Sequence, residues 1–62
     1  MSGNALKKYI GRRCQLVTIL EKKIVGIIVN IEGNWVEIEV RNNSLLINTD
    51  FIERFEILPM TE

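Results

Sequence analysis

The 62-residue chain has few of the residues that build catalytic and metal sites. It has no histidine and a single cysteine, Cys14, which argues against an internal disulfide, a zinc site and a Ser-His or Cys-His nucleophile pair. Glu37 and Glu39 lie two residues apart, but no acid–base partner or cleft accompanies them in the sequence. We therefore expect a protein that is not an enzyme and that uses no cofactor or metal.

Alanine and proline are also scarce, with one residue each, whereas isoleucine and valine together supply 15 of the 62 residues. β-Branched residues favour strands, so the composition predicts a mainly β protein. No apolar run reaches the roughly 20 residues of a membrane span. Lys7 and Lys8 interrupt the apolar patch near the N-terminus, which argues against a secretory signal and for a cytoplasmic location.

The small size of the chain limits what it can bury by itself. A domain of this length buries only about 60% of the surface of its unfolded chain, and no disulfide or metal is present to compensate. Two solutions remain, a very efficient core or burial against other copies of the chain, and the excess of isoleucine and valine favours the second.

The formal net charge of zero hides an uneven distribution. Residues 1–23 contain six lysines and arginines against one glutamate, a net charge of +5, and residues 24–62 contain two against seven acidic residues, a net charge of −5. The basic segment suits an anionic partner such as a nucleic acid, and the alternative is that both sets form solvated surfaces. The candidate phosphate contacts are Lys7, Lys8, Arg12 and Arg13.

The pattern along the chain predicts one short helix followed by five strands, in a single domain of residues 1–62. An α-helix is predicted over residues 2–10, with Leu6 and Ile10 on one face and Gly11 after its end. Alternation and turn signals predict strands over residues 12–20, 24–31, 35–41, 44–48 and 53–58.

These elements describe a small five-stranded SH3-like barrel. The second strand is apolar on both sides of Gly26, which predicts burial on both faces or a bend at a barrel corner. Thr49 is predicted to cap a single helical turn before the fifth strand. The fourth and fifth strands are expected at open edges without a protective edge lysine or proline, so we predict pairing between protomers. The candidate interface residues are Leu45, Leu46, Ile47, Phe55 and Ile57.

Four stretches of the sequence resemble motifs of the Sm-like superfamily, which includes LSm and Hfq-type proteins. Residues 6–13 are similar to the N-terminal helix of the family, and residues 26–32 resemble its Sm1 pattern. Residues 34–36 lie where the family places base-stacking and base-reading residues, and residues 47–52 have the spacing of its Sm2 pattern. In size and composition the chain also resembles small Sm-like or SH3-like proteins of bacteria and phages.

The resemblance implies a ring, a hexamer or heptamer, in which the fourth strand of one subunit pairs with the fifth strand of the next. It also implies binding of uridine- or adenine-rich single-stranded RNA. The chain departs from the motifs, because Glu32 replaces an Asp, Val36 replaces the base-reading Asn, and the Hfq-type Lys-His pair is absent. The candidate base contacts that the resemblance implies are Asn34, Trp35 and Asn48.

The residues leave a second function open, that of a protein-interaction or structural module without a nucleic-acid role. Trp35 alternates with Val36, which favours an outward position for stacking a base or anchoring a protein, but it can instead cover a barrel end or pack under the helix. Asn34 can serve the turn and Asn48 a strand-end hydrogen bond. The expected partners are the chain itself, single-stranded RNA or another protein, and no membrane.

Overall fold

The computed structural model describes residues 3–59, which form mainly β-strands. In chain order the elements are the 3-10 helix η1 (Gly3–Tyr9), the strands β1 (Arg13–Thr18), β2 (Lys23–Glu32), β3 (Trp35–Val40) and β4 (Asn43–Asn48), the 3-10 turn η2 (Thr49–Phe51) and the strand β5 (Ile52–Ile57). The predicted mainly β class with five strands is therefore confirmed, and the strand ends differ from the prediction by at most two residues.

All five strands form one antiparallel sheet in the order β4-β3-β2-β1-β5. Successive strands from β1 to β4 are neighbours, whereas β5 returns through η2 to pair with β1. The two edges of the sheet are therefore β4 and β5, as predicted. Within residues 3–59, β4 pairs only with β3 and β5 only with β1, so each edge keeps a row of backbone groups that no other described strand uses.

The N-terminal helix is a 3-10 helix of seven residues rather than the predicted α-helix over 2–10, whose first residue lies outside the described part. So short a helix gains little from α-helical cooperativity. Three residues per turn bring Leu6 and Tyr9 against the core, whereas Ile10, predicted to share a face with Leu6, is exposed. Gly11 has a φ of +92° after the helix, and its N–H donates to the Ile28 carbonyl at 2.7 Å.

The core lies where inward-facing residues of adjacent strands meet. Ile38 of β3 pairs with Ile28 of β2 and with Leu45 of β4, and Leu16 of β1 pairs with Phe55 of β5. The buried apolar residues of this core are Leu6, Cys14, Leu16, Ile28, Ile31, Val36, Ile38, Ile47 and Ile52. Cys14 of β1 is fully buried in this core.

Strand β2 is not buried on both faces, so that alternative of the prediction is wrong. Gly26 and Ile28 are buried, and the register with β3 shifts between Ile28 and Asn30, which marks a β-bulge. The outward-facing apolar residues of the strand, each more than a third exposed, are Val25, Ile27 and Val29. The second strand therefore leaves an apolar stripe on the outer face of the sheet.

Strand β1 ends at Thr18, two residues before the predicted end. The buried Thr18 hydroxyl oxygen accepts hydrogen bonds from the backbone N–H groups of Leu20 and Lys22, at 3.3 and 3.2 Å. These hydrogen bonds stabilise a turn directly after Thr18, so the strand ends earlier than predicted. Ile19 and Leu20, predicted as strand residues, therefore lie exposed in the β1–β2 turn.

Candidate functional site

Trp35 lies in a surface groove on the outer face of β2, β3 and β4. It follows the tight turn at Gly33 and Asn34, and it faces away from the core because the next residue, Val36, is fully buried. Its side chain is 49% exposed, so the outward position is confirmed rather than packing under the helix. The Trp35 groove, with a volume of about 440 Å³, is lined by Asn30, Glu32, Trp35, Glu37 and Leu46.

The Trp35 groove combines an aromatic ring with two carboxylates. Glu32 lies directly opposite Trp35 in the β2–β3 register, and Glu37 is the next outward residue of β3. No lysine or arginine is among the described residues that line it. Carboxylates repel phosphate groups, whereas an indole face attracts a cation. The groove is therefore better suited to a positively charged side chain than to a nucleotide.

The structure brings together the three residues proposed to contact bases. Asn48 lies opposite Trp35 in the β3–β4 register, and the N–H of Thr49 donates to the Asn34 carbonyl at 2.8 Å. The Asn48 side chain accepts a hydrogen bond from the Asp50 N–H at 2.9 Å and is the N-cap of η2. The predicted cap, Thr49, is instead the first residue of η2. Asn48 thus has the local backbone role that was its alternative interpretation.

The four basic residues proposed to contact phosphate do not form one cluster. Lys7 and Lys8 are exposed in the last turn of η1, and the Lys8 ammonium lies 5.4 Å from the centre of the Tyr9 ring. Arg12 is half-buried, and its guanidinium Nη2 donates to the Leu58 carbonyl at 3.4 Å. Arg13 is exposed and lies opposite Ile27, on the outer face of the sheet.

A further basic surface was not predicted from the sequence. Arg41, in the β3–β4 turn, lines shallow depressions together with Arg13; Lys23 shares one of them and Glu39 the other. Arg41 belongs to residues 24–62, the part of the chain with a net negative charge. A count of charge along the sequence therefore separates it from the basic residues near the N-terminus. Its nearness to Arg13 follows from the register of the strands, which only a correct pairing of β1, β2 and β3 would have revealed.

The proposed interface residues lie at the two sheet edges, with different exposure. Leu45 and Leu46 of β4 are 38% and 67% exposed. Ile47 is buried in the core of the protomer, so its side chain does not belong to the accessible part of the edge. Phe55 and Ile57 of β5 are half-buried and pack against the core. Both edges therefore expose part of the apolar interior.

The described residues offer no site for metal or thiol chemistry. Cys14 is fully buried, and burial raises the pKa of its thiol from 9.0 to about 11, which keeps it protonated near neutral pH. Residues 3–59 contain no group of three or more His, Cys, Asp or Glu side chains arranged to hold a metal ion. No helix in that range is long and apolar enough to cross a membrane.

Comparison with known proteins identifies no relative. No family model, no curated protein and no solved structure matches the chain. The functional argument therefore depends on the edges, the Trp35 groove and the charges of this chain alone.

Proposed function

We propose that the protein is a non-enzymatic Sm-like module that assembles with copies of itself by pairing β4 of one copy with β5 of the next. The observation that carries this proposal is the incomplete burial of apolar, core-facing side chains at both edges of the sheet, where Leu45 is 38% exposed and Phe55 and Ile57 are half-buried. Because the two edges differ, the contact is heterologous, and repetition of one such contact closes a ring if the rotation between copies divides a full turn.

The sequence of β4 supports its role as a pairing edge. Asn43–Asn48 contains no charged residue and no proline, which are the features that normally protect an edge strand. Leu45 lies opposite the buried Ile38 and so faces the core, yet it stays more than a third exposed. A further strand alongside β4 would cover this side chain.

The other edge offers a matching surface. Phe55 lies opposite the buried Leu16, and Ile57 lies opposite the buried Cys14, so both face the same interior as Leu45. Pairing that keeps inward residues with inward residues joins these apolar rows. The contact adds apolar burial that a chain of 62 residues otherwise lacks.

Leu45→Lys tests the proposal. Within a single chain the lysine can extend into water, but in a paired assembly its ammonium is buried beside the partner's β5. We expect the wild-type chain to form a discrete oligomer in sedimentation velocity experiments and Leu45→Lys to dissociate it to monomers with an unchanged far-ultraviolet circular dichroism spectrum.

Leu20→Lys is the matched control, because Leu20 is 66% exposed in the β1–β2 turn and belongs to neither edge strand. The control is expected to keep the wild-type oligomer. A wild-type chain that stays monomeric at high concentration, or an oligomer that Leu45→Lys leaves intact, contradicts the proposal.

Binding of single-stranded RNA is a second candidate, favoured by the exposure of Lys7, Lys8 and Arg13. In an assembly these residues are repeated once per copy, which multiplies their attraction for phosphates. Fluorescence anisotropy with oligo-U and oligo-A at low salt tests this candidate. Micromolar binding that weakens steeply with salt supports it, and binding that is absent or independent of salt contradicts it.

A further inference from the structure

We infer that Arg54 of a neighbouring copy lies in the Trp35 groove and sets the alignment of the two edges. The inference depends on the proposed assembly of β4 with β5 and adds to it a specific contact between side chains. It begins from two facts about the outer face of the sheet: the groove lies beside the β4 edge, and a single basic side chain projects from the β5 edge.

The chemistry of the groove fits a guanidinium group. Trp35 supplies an indole face, and the carboxylates of Glu32 and Glu37 supply negative charge on either side of it. A planar guanidinium stacks on an aromatic ring and pairs with carboxylates better than an ammonium does. Leu46 of β4 forms the wall nearest the edge, so the groove is reached from the side where a paired strand would lie.

Arg54 is the only basic residue of β5, and its position in the strand is outward-facing. Its flanking residue Phe55 faces the core opposite Leu16, and alternation places Arg54 on the other face, opposite Val17. Glu56, the next outward residue, is acidic and finds no cation in the Trp35 groove. Arg54 is therefore the side chain of β5 that complements the groove.

The register of the pairing is restricted by the apolar rows. β4 and β5 run in the same direction in the antiparallel order β4-β3-β2-β1-β5, so only a parallel alignment keeps Leu45 and Ile47 on the same face as the partner's apolar residues, and this alignment can shift only by two residues. With Ile47 beside Phe55 of the neighbouring copy, Arg54 of that copy lies beside Leu46. Leu46 itself lies opposite Glu37, so Arg54 joins the cross-strand row that contains Glu37.

The neighbouring register places Arg54 beside the same groove. If Asn48 lies beside Arg54 of the next copy, the arginine joins the row of Asn48, Trp35 and Glu32. In both registers two strand spacings, about 10 Å, separate Arg54 from β3, and a long arginine side chain leaning toward a glutamate spans this distance. The contact is therefore available in both of these registers.

Charge reversal at the two sides of the contact tests the inference. Arg54→Glu is expected to weaken self-association at least about tenfold, measured by sedimentation velocity, because it places like charges together. Combining it with Glu37→Arg is expected to restore most of the lost association. Lys22→Glu is the control, since it makes the same charge change at an exposed turn residue that belongs to neither edge strand.

Trp35 reports on the contact directly because it is the only tryptophan of the chain. Its emission is expected to change with protein concentration through the assembly transition of the wild type, and this change is expected to be reduced in Arg54→Gln, which removes the charge and keeps much of the side-chain length. Far-ultraviolet circular dichroism checks that each variant is folded.

The outcomes separate this inference from the proposed function. If the wild type assembles but Arg54→Glu weakens assembly no more than Lys22→Glu does, the Arg54 contact is wrong and edge pairing stands. If the wild type never assembles, both are wrong. Quenching of Trp35 by oligo-U in the assembled protein also overturns the inference, because the groove is then open to RNA.

Discussion

The backbone of Gly26 passes so close to β3 that no side chain fits beside it. An ideal Cβ at this position would lie 2.5 Å from the carbonyl oxygen of Glu39 and 2.6 Å from the Cγ2 atom of Ile38. We expect Gly26→Ala to lower the free energy of unfolding by about 2 kcal/mol or more, measured by chemical denaturation, because strand backbone must move apart.

Gly11→Ala is the matched control for this substitution. A Cβ at Gly11 meets open space, and the cost comes only from the φ of +92°, about 1 kcal/mol. Equal losses of stability in the two variants would contradict the close approach of β2 and β3 at Gly26.

Because of Cys14, the stability of the protein is expected to vary with pH in the alkaline range. Burial raises the pKa of its thiol to about 11 in the folded state, against 9.0 for an exposed thiol. Below pH 9 the thiol is protonated in both states and its contribution is fully present. Between about pH 9 and 11 the unfolded state loses the proton first, so stability falls.

We expect the denaturation midpoint of the wild type to fall more steeply above pH 9 than that of Cys14→Ala. The other titrating groups are common to both proteins, so the difference between the two profiles isolates the thiol. Parallel profiles from pH 7 to 11 would show that burial does not perturb Cys14.

At the scale of elements, the β3–β4 turn carries local strain. Val40 pairs with Asn43, so the loop has two residues, and the first of them, Arg41, has a φ of 59°. This turn position favours glycine. We expect Arg41→Gly to raise the free energy of unfolding by about 0.5–1 kcal/mol, measured by chemical denaturation.

Asn42→Gly provides the comparison, because Asn42 does not have a positive φ and gains nothing from a glycine. We expect this variant to be equally stable or slightly less stable than the wild type, since glycine adds conformational freedom to the unfolded chain. A gain of stability in Asn42→Gly and not in Arg41→Gly would contradict the observed turn.

The strands were predictable because their side chains alternate and because the turns before and after β3 carry glycine or asparagine. The alternation of Val36 and Ile38 with Trp35 gave the correct inner and outer faces of β3. The type of the first helix and the end of β1 were not predictable, because they depend on docking against β2 and on hydrogen bonds of Thr18.

The candidate site was predictable only in part, because some of its contacts depend on how neighbouring strands are aligned. Trp35 and the two edges follow from alternation and strand order, which are properties of single elements and their sequence. The proximity of Arg41 to Arg13, and of Glu32 to Trp35, depends on register across strands, and a single sequence gives no information on register.

At the scale of the whole molecule, the neutral chain has separate charged regions. The basic surface includes Arg13 and Arg41, whereas the Trp35 groove is acidic. In the proposed assembly, Arg54 of one copy lies in the acidic Trp35 groove of the next. The exposed lysines of η1 take no part in this contact and stay available to an anionic partner. The two proposed functions are therefore compatible in one assembly.

Hydrogen exchange of backbone amides, followed residue by residue with NMR as the protein concentration is raised, tests the pairing of β4 with β5 most directly. We predict that amides of Asn43–Asn48 and Ile52–Ile57 that face away from the sheet become protected with increasing concentration, while those shared by β1, β2 and β3 do not change. Protection of β4 and β5 that is independent of concentration, together with a constant monomer mass, would contradict assembly through the sheet edges.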